Sequence, residues 1–405
     1  MKFKRYKLND LSIGGGSYGI GASAVEYDKK LYTYLRITDI NEDGTLNYKD
    51  MMSVNVPKAN KYILKKNDIC FVRTGNSTGK TYFYDGSIEN LVYAGFLIKF
   101  SIDEEKVNPK YVKYYIMTSK YKNWVKEIQT GSTRGNINAK MYGNLEILIP
   151  ERAYQDKLVT VLDKITDKIK YNTQTNDNLS NISQLIFDNY IKDDMDLEYC
   201  KISELNPKLE TGKRPNGGVS NIESGIPSIG AESIKGLGYF DYVKTKYVTE
   251  EYFCKMKKGI VKGYELLIYK DGGKPGYFMP NFSMFGDGFP FEKFAINEHV
   301  FLLDFENIRF NIFAYYYFNS AIIRHRLHVL GSKSAAIPGI NQQDILNLEI
   351  PKSNENIDKN ILDVLEKNTK KIIKNSKQNY ILSKLRDTLL PKLMNGEIDL
   401  DKIEI

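Results

Sequence analysis

The sequence predicts an α+β fold in which two tandem, pseudo-repeated mixed α/β domains are separated by two long helices that pair as an antiparallel coiled coil. Two observations predict this fold. Similar residues recur in the same order in both halves of the chain, and each half ends in a heptad pattern of apolar residues. The repeat assigns the 405 residues to a first domain at 1–150, a central helix at 151–195, a second domain at 196–351 and a C-terminal helix at 352–405.

The repeat is visible as ordered pairs of similar residues. The separation within a pair ranges only from 194 residues (Leu8 to Ile202) to 203 residues (Leu158 to Ile361). A period of this length exceeds the roughly 20–50 residues of solenoid repeats, so it indicates a tandem domain duplication. Further pairs are Asp68 with Glu265, Arg73 with Lys270, Gly75 with Gly272, Gly79 with Gly276, Gly131 with Gly331, and Pro150 with Pro351.

Each mixed domain is predicted from short apolar runs that Gly, Asn and Pro interrupt. In the first domain, Asn108 and Pro109 are typical of a helix start, and the helix is expected to continue through Tyr111 to about Lys126. Pro150 is expected to end the last strand. The predicted strands are Tyr32 to Thr38, Asp68 to Arg73, Phe96 to Phe100, and Leu145 to Ile149.

The two long helices are predicted from apolar residues that alternate at spacings of four and three. Such a stripe needs a partner helix, and the other copy of the repeat supplies one. The stripe consists of Leu158, Leu162, Ile165, Ile169, Asn172, Asn176, Leu179 and Ile186 in the first helix, and of Ile361, Leu365, Asn368, Ile372, Asn375, Asn379, Leu382 and Leu389 in the second.

Asparagines interrupt both stripes at matching places. Asn172 and Asn176 align with Asn375 and Asn379. A buried asparagine lowers the stability of a coiled coil unless it is paired, and it fixes the register of the helices. These four residues are therefore interpreted as register-setting residues, and the alternative is a frayed, solvated stretch of helix.

The composition is typical of a globular protein, with 42% hydrophobic and 27% charged residues. The net charge of +8 permits binding to a polyanion, although abundant Lys, Asn, Ile and Tyr also suggest an AT-rich genome. No apolar run reaches the roughly 18 residues of a membrane span, and no apolar signal region follows the N-terminus, so a cytoplasmic protein without a membrane partner is expected. Cys70, Cys200 and Cys254 lack disulfide or metal-site spacing, which fits a reducing compartment.

Two glycine-rich strings resemble nucleotide-binding motifs but lack their context. Gly14 to Gly19 fits GxGxxG, yet neither a clear strand before it nor a clear helix after it is predicted, so a surface loop is expected. Gly75 to Thr81 resembles a P-loop but has three residues between its glycines where the P-loop has four. Neither string predicts a nucleotide site.

The loops that follow the central strand and precede the last strand are better candidates for DNA contacts. Small polar residues beside a cation suit contacts to phosphates and base edges, and solvated turns are the alternative interpretation. The candidates in these loops are Arg73, Asn76, Ser77, Thr78, Lys80, Ser132, Thr133 and Arg134 in the first domain, and Lys270, Lys274, Ser332 and Lys333 in the second. A further candidate in the second domain is the run that contains Lys213 and Arg214.

No catalytic or metal site can be assembled from the sequence. The three histidines, His299, His325 and His328, all lie in the second half, whereas the two halves are otherwise alike. His325 and His328 have helical spacing without an accompanying metal-ligand motif, so a helix surface is expected for them. The Asn/Asp-Pro-Pro-aromatic tetrapeptide of amino-methyltransferases is also missing.

The alternation of two domains with two coiled-coil helices resembles the specificity subunit of type I restriction–modification systems. Two sequence runs carry the same resemblance, the closing run from Leu389 to Ile398 and the run from Tyr34 to Ile40 early in the first domain. The resemblance covers the whole chain. It implies two target recognition domains, each reading one half of a split sequence in double-stranded DNA.

The resemblance also implies partners and roles. The helices would act as a ruler and as docking sites for two methyltransferase (M) subunits, and restriction (R) subunits would then join. The chain itself would be a non-catalytic recognition subunit without a cofactor, because S-adenosylmethionine, ATP and Mg would belong to the partners. Arg36, within the Tyr34 run, joins the DNA-contact candidates. The second domain has Ile226 to Gly230 in place of that run, so the two half-sites should differ.

Two alternatives from other classes remain open. A self-contained DNA methyltransferase or nuclease would need the motifs that are missing here. A structural coiled-coil scaffold would have no nucleic-acid role. A salt-independent profile on DNA would favour it, because phosphate contacts make binding fall with salt.

Overall fold

The computed structural model describes residues 2–130, 135–193, 197–333, 338–352 and 358–400. The chain divides into two compact units, one formed by Met1–Thr166 with Lys384–Ile405 and the other by Asp167–Ser383. Each unit holds one mixed domain and a segment of each long helix. In the described part of the chain, no helix is both long and apolar enough to cross a membrane.

The first domain lies in the first unit and runs from β1 to β9. Its elements are β1 (Lys4–Lys7), β2 (Ser12–Tyr18), β3 (Tyr32–Leu35), β4 (Met52–Val54), β5 (Asp68–Val72), β6 (Thr81–Phe83), β7 (Leu91–Tyr93), β8 (Leu97–Ile102), α1 (Pro109–Tyr115), α2 (Ser119–Thr130), α3 (Ala139–Gly143) and β9 (Glu146–Ile149). The strands form a four-stranded sheet in the order β2-β8-β5-β6, a three-stranded sheet in the order β4-β3-β7, and the pair β1-β9. The long helix α4 (Arg152–Asp193) follows.

The second domain lies in the second unit and runs from β10 to β20. Its elements are β10 (Tyr199–Lys201), β11 (Lys208–Thr211), β12 (Ile226–Ile229), β13 (Lys246–Val248), α5 (Glu250–Lys255), β14 (Leu266–Tyr269), β15 (Gly273–Lys274), β16 (Tyr277–Phe278), β17 (Phe282–Ser283), β18 (Ala295–Ile296), β19 (Val300–Asp304), α6 (Ile308–Asn319), α7 (Ala321–Gly331), α8 (Gln342–Leu346) and β20 (Glu349–Pro351). The second long helix is α9 (Lys359–Met394).

The sheets of the second domain repeat those of the first. The four-stranded sheet has the order β11-β19-β14-β17, the three-stranded sheet β13-β12-β18, and the terminal pair is β10-β20. In both three-stranded sheets, one pair is parallel, β3 with β7 and β12 with β18. The hairpin β15-β16 is an addition to the second domain. The predicted duplication and α+β fold are therefore confirmed.

Individual hydrogen bonds repeat as well. In the first unit, the Tyr114 hydroxyl lies 2.9 Å from Thr166 Oγ1 on α4. In the second unit, the Tyr316 hydroxyl lies 3.1 Å from Thr369 Oγ1 on α9. Each bond fixes the aromatic helix of a domain, α1 or α6, to the long helix that follows that domain. Because Tyr114 and Tyr316 are both buried, these hydroxyls need such partners.

A second pair of tyrosines follows the same rule. Tyr115 donates to the carbonyl of Glu146 at 2.8 Å, and Tyr317 donates to the carbonyl of Glu349 at 2.9 Å. Both acceptors lie on the last strand of their domain. Burial raises the pKa of both phenols, so they stay protonated donors across the physiological range.

Within the second unit, α4 and α9 run antiparallel. Asn172 Nδ2 donates to Asn379 Oδ1 at 2.9 Å, and Asn368 Nδ2 donates to Ser183 Oγ at 3.0 Å. Because the numbering rises along one helix where it falls along the other, the direction of pairing is fixed. Within the first unit, Tyr154 on α4 donates to the carbonyl of Leu393 on α9 at 2.9 Å. The predicted antiparallel pairing is thus confirmed.

One predicted helix is broken. The segment expected to continue from Pro109 to about Lys126 forms α1 and α2, which are separated at residues 116–118. Thr118 explains the break, because its buried hydroxyl donates to the Tyr115 carbonyl at 2.6 Å and accepts from the Tyr121 amide at 3.4 Å. A threonine that bonds the backbone in this way competes with a continuous helix.

The glycine string Gly14 to Gly19 is not the expected surface loop. Most of it lies in β2, whose register with β8 shifts between Ile13 and Ser17. A Cβ atom added at Gly16 would lie 2.5 Å from Phe100 Cζ on β8. Glycine is therefore needed for the close approach of β2 to β8.

Candidate nucleic-acid interface

The cations that follow the central strand occupy equivalent places in the two domains. Arg73 donates its amide to the carbonyl of Phe96 at 3.1 Å, and its carbonyl accepts from the amide of Ile137 at 2.9 Å. Lys270 makes the same two bonds, to the carbonyl of His299 at 3.1 Å and from the amide of Ile340 at 2.8 Å. The backbone of each cation is therefore held on both sides.

Buried carboxylates fix the other end of each central strand. Asp68 Oδ2 accepts from the amide of Lys65 at 2.8 Å, and Glu265 Oε1 accepts from the amide of Lys262 at 2.7 Å. Burial raises the pKa of Glu265, and its bonds from backbone amides oppose that rise. These acids close the turns that lead into β5 and β14, so their role is structural.

Arg73 packs against an aromatic ring. Its guanidinium carbon lies 5.0 Å from the centroid of Tyr18, at the end of β2. The hydroxyl of Tyr18 accepts from the amide of Ala139 at 3.2 Å, which holds the ring in place. In the part of the chain that the structure describes, no carboxylate pairs with this guanidinium, and its buried Nε has no hydrogen-bond partner. Among the described residues, no acid therefore compensates this guanidinium.

The loop between β5 and β6 is a tight turn. Gly75 has φ +78°, and its carbonyl accepts from the hydroxyl of Thr78 at 2.7 Å. The carbonyl of Ser77 accepts from the amide of Lys80 at 3.0 Å, while the Asn76 side chain is exposed. A strand, β6, follows this loop, whereas a P-loop requires a helix there. The loop therefore presents polar groups without forming a phosphate cradle of that type.

Arg36 and Lys80 are both engaged by acids of their own domain. Arg36 Nη2 donates to Asp39 Oδ1 at 2.6 Å and to the carbonyl of Asp50 at 2.6 Å. The hydrogen bond with Asp39 raises the pKa of Arg36. Lys80 Nζ lies 2.8 Å from Glu42 Oε1. The structure thus gives Arg36 a role in holding the turn after β3, and the Arg-x-x-Asp spacing in the sequence could have indicated it.

In the second domain, two of the predicted cations, Lys270 and Arg214, belong to a charged network. Lys270 Nζ lies 2.7 Å from Asp271 Oδ2, which also lies 3.0 Å from His299 Nδ1. The other ring nitrogen, Nε2, lies 3.4 Å from Glu298 Oε1, and Arg214 Nη1 lies 3.3 Å from the same oxygen. The network therefore joins two predicted DNA contacts through three residues that sequence reasoning missed, Asp271, His299 and Glu298. Only Asp271, adjacent to Lys270 in the chain, could have been anticipated.

The remaining candidates have diverse surroundings. Lys213, Lys274 and Lys333 are exposed. Ser332 Oγ accepts from the amide of Phe278 at 2.9 Å, so its hydroxyl links α7 to β16. Ser132, Thr133 and Arg134 lie outside the described residues.

The asparagines of the helix stripe are paired across the two helices. Asn375 Nδ2 donates to Asn176 Oδ1 at 2.9 Å, in parallel with the bond from Asn172 to Asn379. Asn172 and Asn375 are buried. Paired amides at these places meet the requirement for setting the register.

Among the residues that the structure describes, the histidines lie in no metal site. Within the described ranges, no group of three or more His, Cys, Asp or Glu side chains is arranged to hold a metal ion. His325 and His328 lie on α7, as the sequence predicts. His328 Nδ1 contacts the carbonyl of Phe278, and its ring packs against Tyr277 with centroids 4.7 Å apart.

Comparison with known proteins identifies the family of this chain. The family model described as "Type I restriction modification DNA specificity domain" matches residues 2–181 and 195–382. The chain is 25% identical to the MjaIX specificity subunit of Methanocaldococcus jannaschii, over 75% of this chain and 72% of that relative. It is 22% identical to the HindI specificity subunit of Haemophilus influenzae, over 90% of this chain and 95% of that relative.

A solved structure has a similar fold. The type I restriction-modification S subunit from M. genitalium matches with a TM-score of 0.56 and 14% sequence identity, covering 97% of this chain and 96% of that chain. Both halves of the chain match one family model, as the internal repeat requires.

Proposed function

Because the chain belongs to the type I restriction modification DNA specificity domain family, we propose that each of its two domains reads one half of a bipartite DNA target, with the two helices setting the gap between the halves. The chain is a recognition component and not itself a catalyst. The two domains are separate readers, each with its own sequence preference.

The observation that carries the proposal is the repeated placement of a cation after the central strand. Arg73 and Lys270 are held by the same two backbone bonds, at the ends of equivalent strands. Their surroundings differ, because Tyr18 packs on Arg73 whereas Asp271 pairs with Lys270. Equivalent position with different chemistry is what two readers of different half-sites need.

We propose that the helices dock two methyltransferase subunits and that restriction subunits join the complex. Apolar side chains on the helix surface support a protein partner, because Tyr171 and Leu185 on α4 are each 62% exposed and Ile381 on α9 is 56% exposed. Under this proposal, the complex works in the cytoplasm. S-adenosylmethionine, ATP and Mg²⁺ would be bound by the partner subunits, and this chain would hold no cofactor.

The proposal is tested by sequencing the methylome of cells that carry the cognate methyltransferase gene, with and without this chain. We expect a new N6-methyladenine motif in which two specific half-sites are separated by a fixed gap. A contiguous motif would reduce the reading function to one domain. The absence of any new motif would favour a structural scaffold.

The role of the helices has its own test. Inserting one heptad at facing positions of α4 and α9 adds about 10 Å at 1.5 Å per residue, which corresponds to at most about three base pairs at 3.4 Å each. The gap in the methylation motif should lengthen while both half-sites stay the same. The matched control inserts seven residues at the exposed turn around Gly86, which should leave the gap unchanged.

A further inference from the structure

Buried polar atoms without partners concentrate beside the predicted DNA contacts. Within the described residues, five buried side-chain atoms lack a hydrogen-bond partner: Arg73 Nε, Asn136 Oδ1, Arg214 Nε, Thr245 Oγ1 and Glu298 Oε2. Two of them belong to Arg73 and Asn136, in the same part of the first domain. An unsatisfied buried group costs free energy in the unbound protein, so each one calls for an explanation, such as a missing ligand.

Asn136 lies beside Arg73 because the backbones of the two segments are bonded. The residue after Asn136, Ile137, is fully buried and donates its amide to the Arg73 carbonyl at 2.9 Å. The residue before it, Gly135, has φ +58°, a conformation that favours glycine. Ile137 therefore anchors the segment, while Oδ1 of the half-buried Asn136 side chain has no hydrogen-bond partner within the described protein.

These two residue types match purine edges in the major groove. Arginine pairs in bidentate fashion with O6 and N7 of guanine, and asparagine pairs with N6 and N7 of adenine. In the second domain, the residue equivalent to Asn136 is Gly339, which precedes Ile340. The cation Lys270 is paired with Asp271. Among the described residues at these two equivalent places, only the first domain therefore combines an arginine that no acid compensates with an amide oxygen that has no partner.

We propose that Asn136 reads an adenine in the half-site of the first domain and that Arg73 reads a guanine close to it. This inference rests on the proposed function and names the residues that specify one of its half-sites. Tyr18 acts as a positioning residue, because its ring supports the guanidinium. Asn136 is not among the DNA-contact candidates that the sequence predicts.

The test uses the full chain assembled with its methyltransferase subunits. The complex selects sites from a DNA library in which both half-sites are randomised, and the bound sites are sequenced. Asn136→Asp keeps the shape of the side chain but replaces the Nδ2 donor with a second acceptor. Asn136→Gly introduces the residue that the second domain has at this place, so the backbone should tolerate it. Arg73→Lys keeps the charge but loses the planar fork of donors.

We expect both Asn136 variants to lower the preference for one adenine by about fivefold to 150-fold, the range of a good bidentate base contact. Arg73→Lys should relax one guanine in the same half-site by a similar factor. In Asn136→Gly and Arg73→Lys, the other half-site, the gap and the salt dependence of binding should stay unchanged, because neither variant loses a phosphate contact or a charge.

Two matched variants serve as controls in the same domain. Asn123→Asp changes an exposed asparagine on α2, and Arg5→Lys changes an exposed arginine on β1. Neither should alter the selected motif. The inference is overturned if Asn136→Gly, with wild-type thermal stability, selects the wild-type motif. A wild-type complex that selects no bipartite motif would instead contradict the proposed function.

Discussion

The two domains share a framework but differ in the electrostatic surroundings of their central cation. In the first domain, Arg73 packs against Tyr18 and no acid pairs with it among the described residues. In the second, Lys270 is paired with Asp271, which is linked through His299 to Glu298. Strand order and backbone bonds are the same. The difference teaches that the framework places a cation, while side chains around it decide how much of its charge a ligand can use.

The framework itself should be most sensitive to loss of its buried anchors. Phe187 and Leu390 are 203 residues apart, the separation of the helix repeat, and each is buried in the core of a different unit. Phe187 packs on Phe313 with ring centroids 5.1 Å apart. We expect Phe187→Ala to cost about 3–5 kcal/mol and Leu390→Ala about 2–5 kcal/mol of unfolding free energy.

Calorimetry would check whether each change acts on one unit. The first variant should weaken the transition of the second unit, and the second variant that of the first unit. If each variant moved all transitions equally, the two units would share one cooperative core. Tyr171→Ala, a loss of an exposed aromatic side chain on α4, is the control and should leave stability nearly unchanged.

The acids at the start of the central strands offer a smaller contrast. Asp68 Oδ2 lies 3.3 Å from Lys99 Nζ, so Asp68→Asn removes the charge that faces this lysine and should cost about 1–3 kcal/mol of unfolding free energy.

Burial raises the pKa of Glu265 in the folded protein. Its protonated form is therefore favoured by folding, and the corresponding stability is present at low pH and lost as pH rises through the raised pKa.

The pH dependence can be measured against Glu265→Gln, which cannot titrate. Denaturant unfolding between pH 4 and pH 7 should show wild type gaining stability relative to the variant as the pH falls. The opposite slope would mean that the backbone amides that bond Glu265 dominate over burial. At neutral pH, the variant should differ from wild type by no more than about 1–2 kcal/mol, because it removes a buried charge but also one acceptor.

The smallest expected effect is the most direct test of the comparison. Asp271→Asn should release Lys270 and make the second domain resemble the first. We expect tighter binding to DNA of any sequence, with a salt dependence that steepens by about one charge. Titrations at several salt concentrations would measure it. Glu251→Gln removes an equal charge from an exposed pair with Lys255 on α5, and an equal effect there would show that only net charge matters.

The framework could be predicted from the sequence because its signals are periodic or repeated. The heptad stripe and the pairs such as Arg73 with Lys270 fix elements without any knowledge of contacts. The break at Thr118 depends on one hydroxyl that bonds the backbone, which no pattern indicates.

The charged network was unpredictable for a related reason. Glu298 meets Arg214 across 84 residues, and His299 meets Asp271 across 28. Such pairs are created by strand order. Arg36 illustrates the opposite case, because its partner Asp39 stands three residues away and was visible in the sequence.

The asparagine pairs have a consequence in terms of symmetry. Asn172 donates to Asn379, and Asn375 donates to Asn176. In the repeat, Asn172 corresponds to Asn375 and Asn176 corresponds to Asn379. Exchanging each residue with its counterpart therefore turns one bond into the other and keeps the roles of donor and acceptor. The two bonds are thus related by a local half-turn. Sliding one helix along the other breaks both at once, so no partial slip retains either.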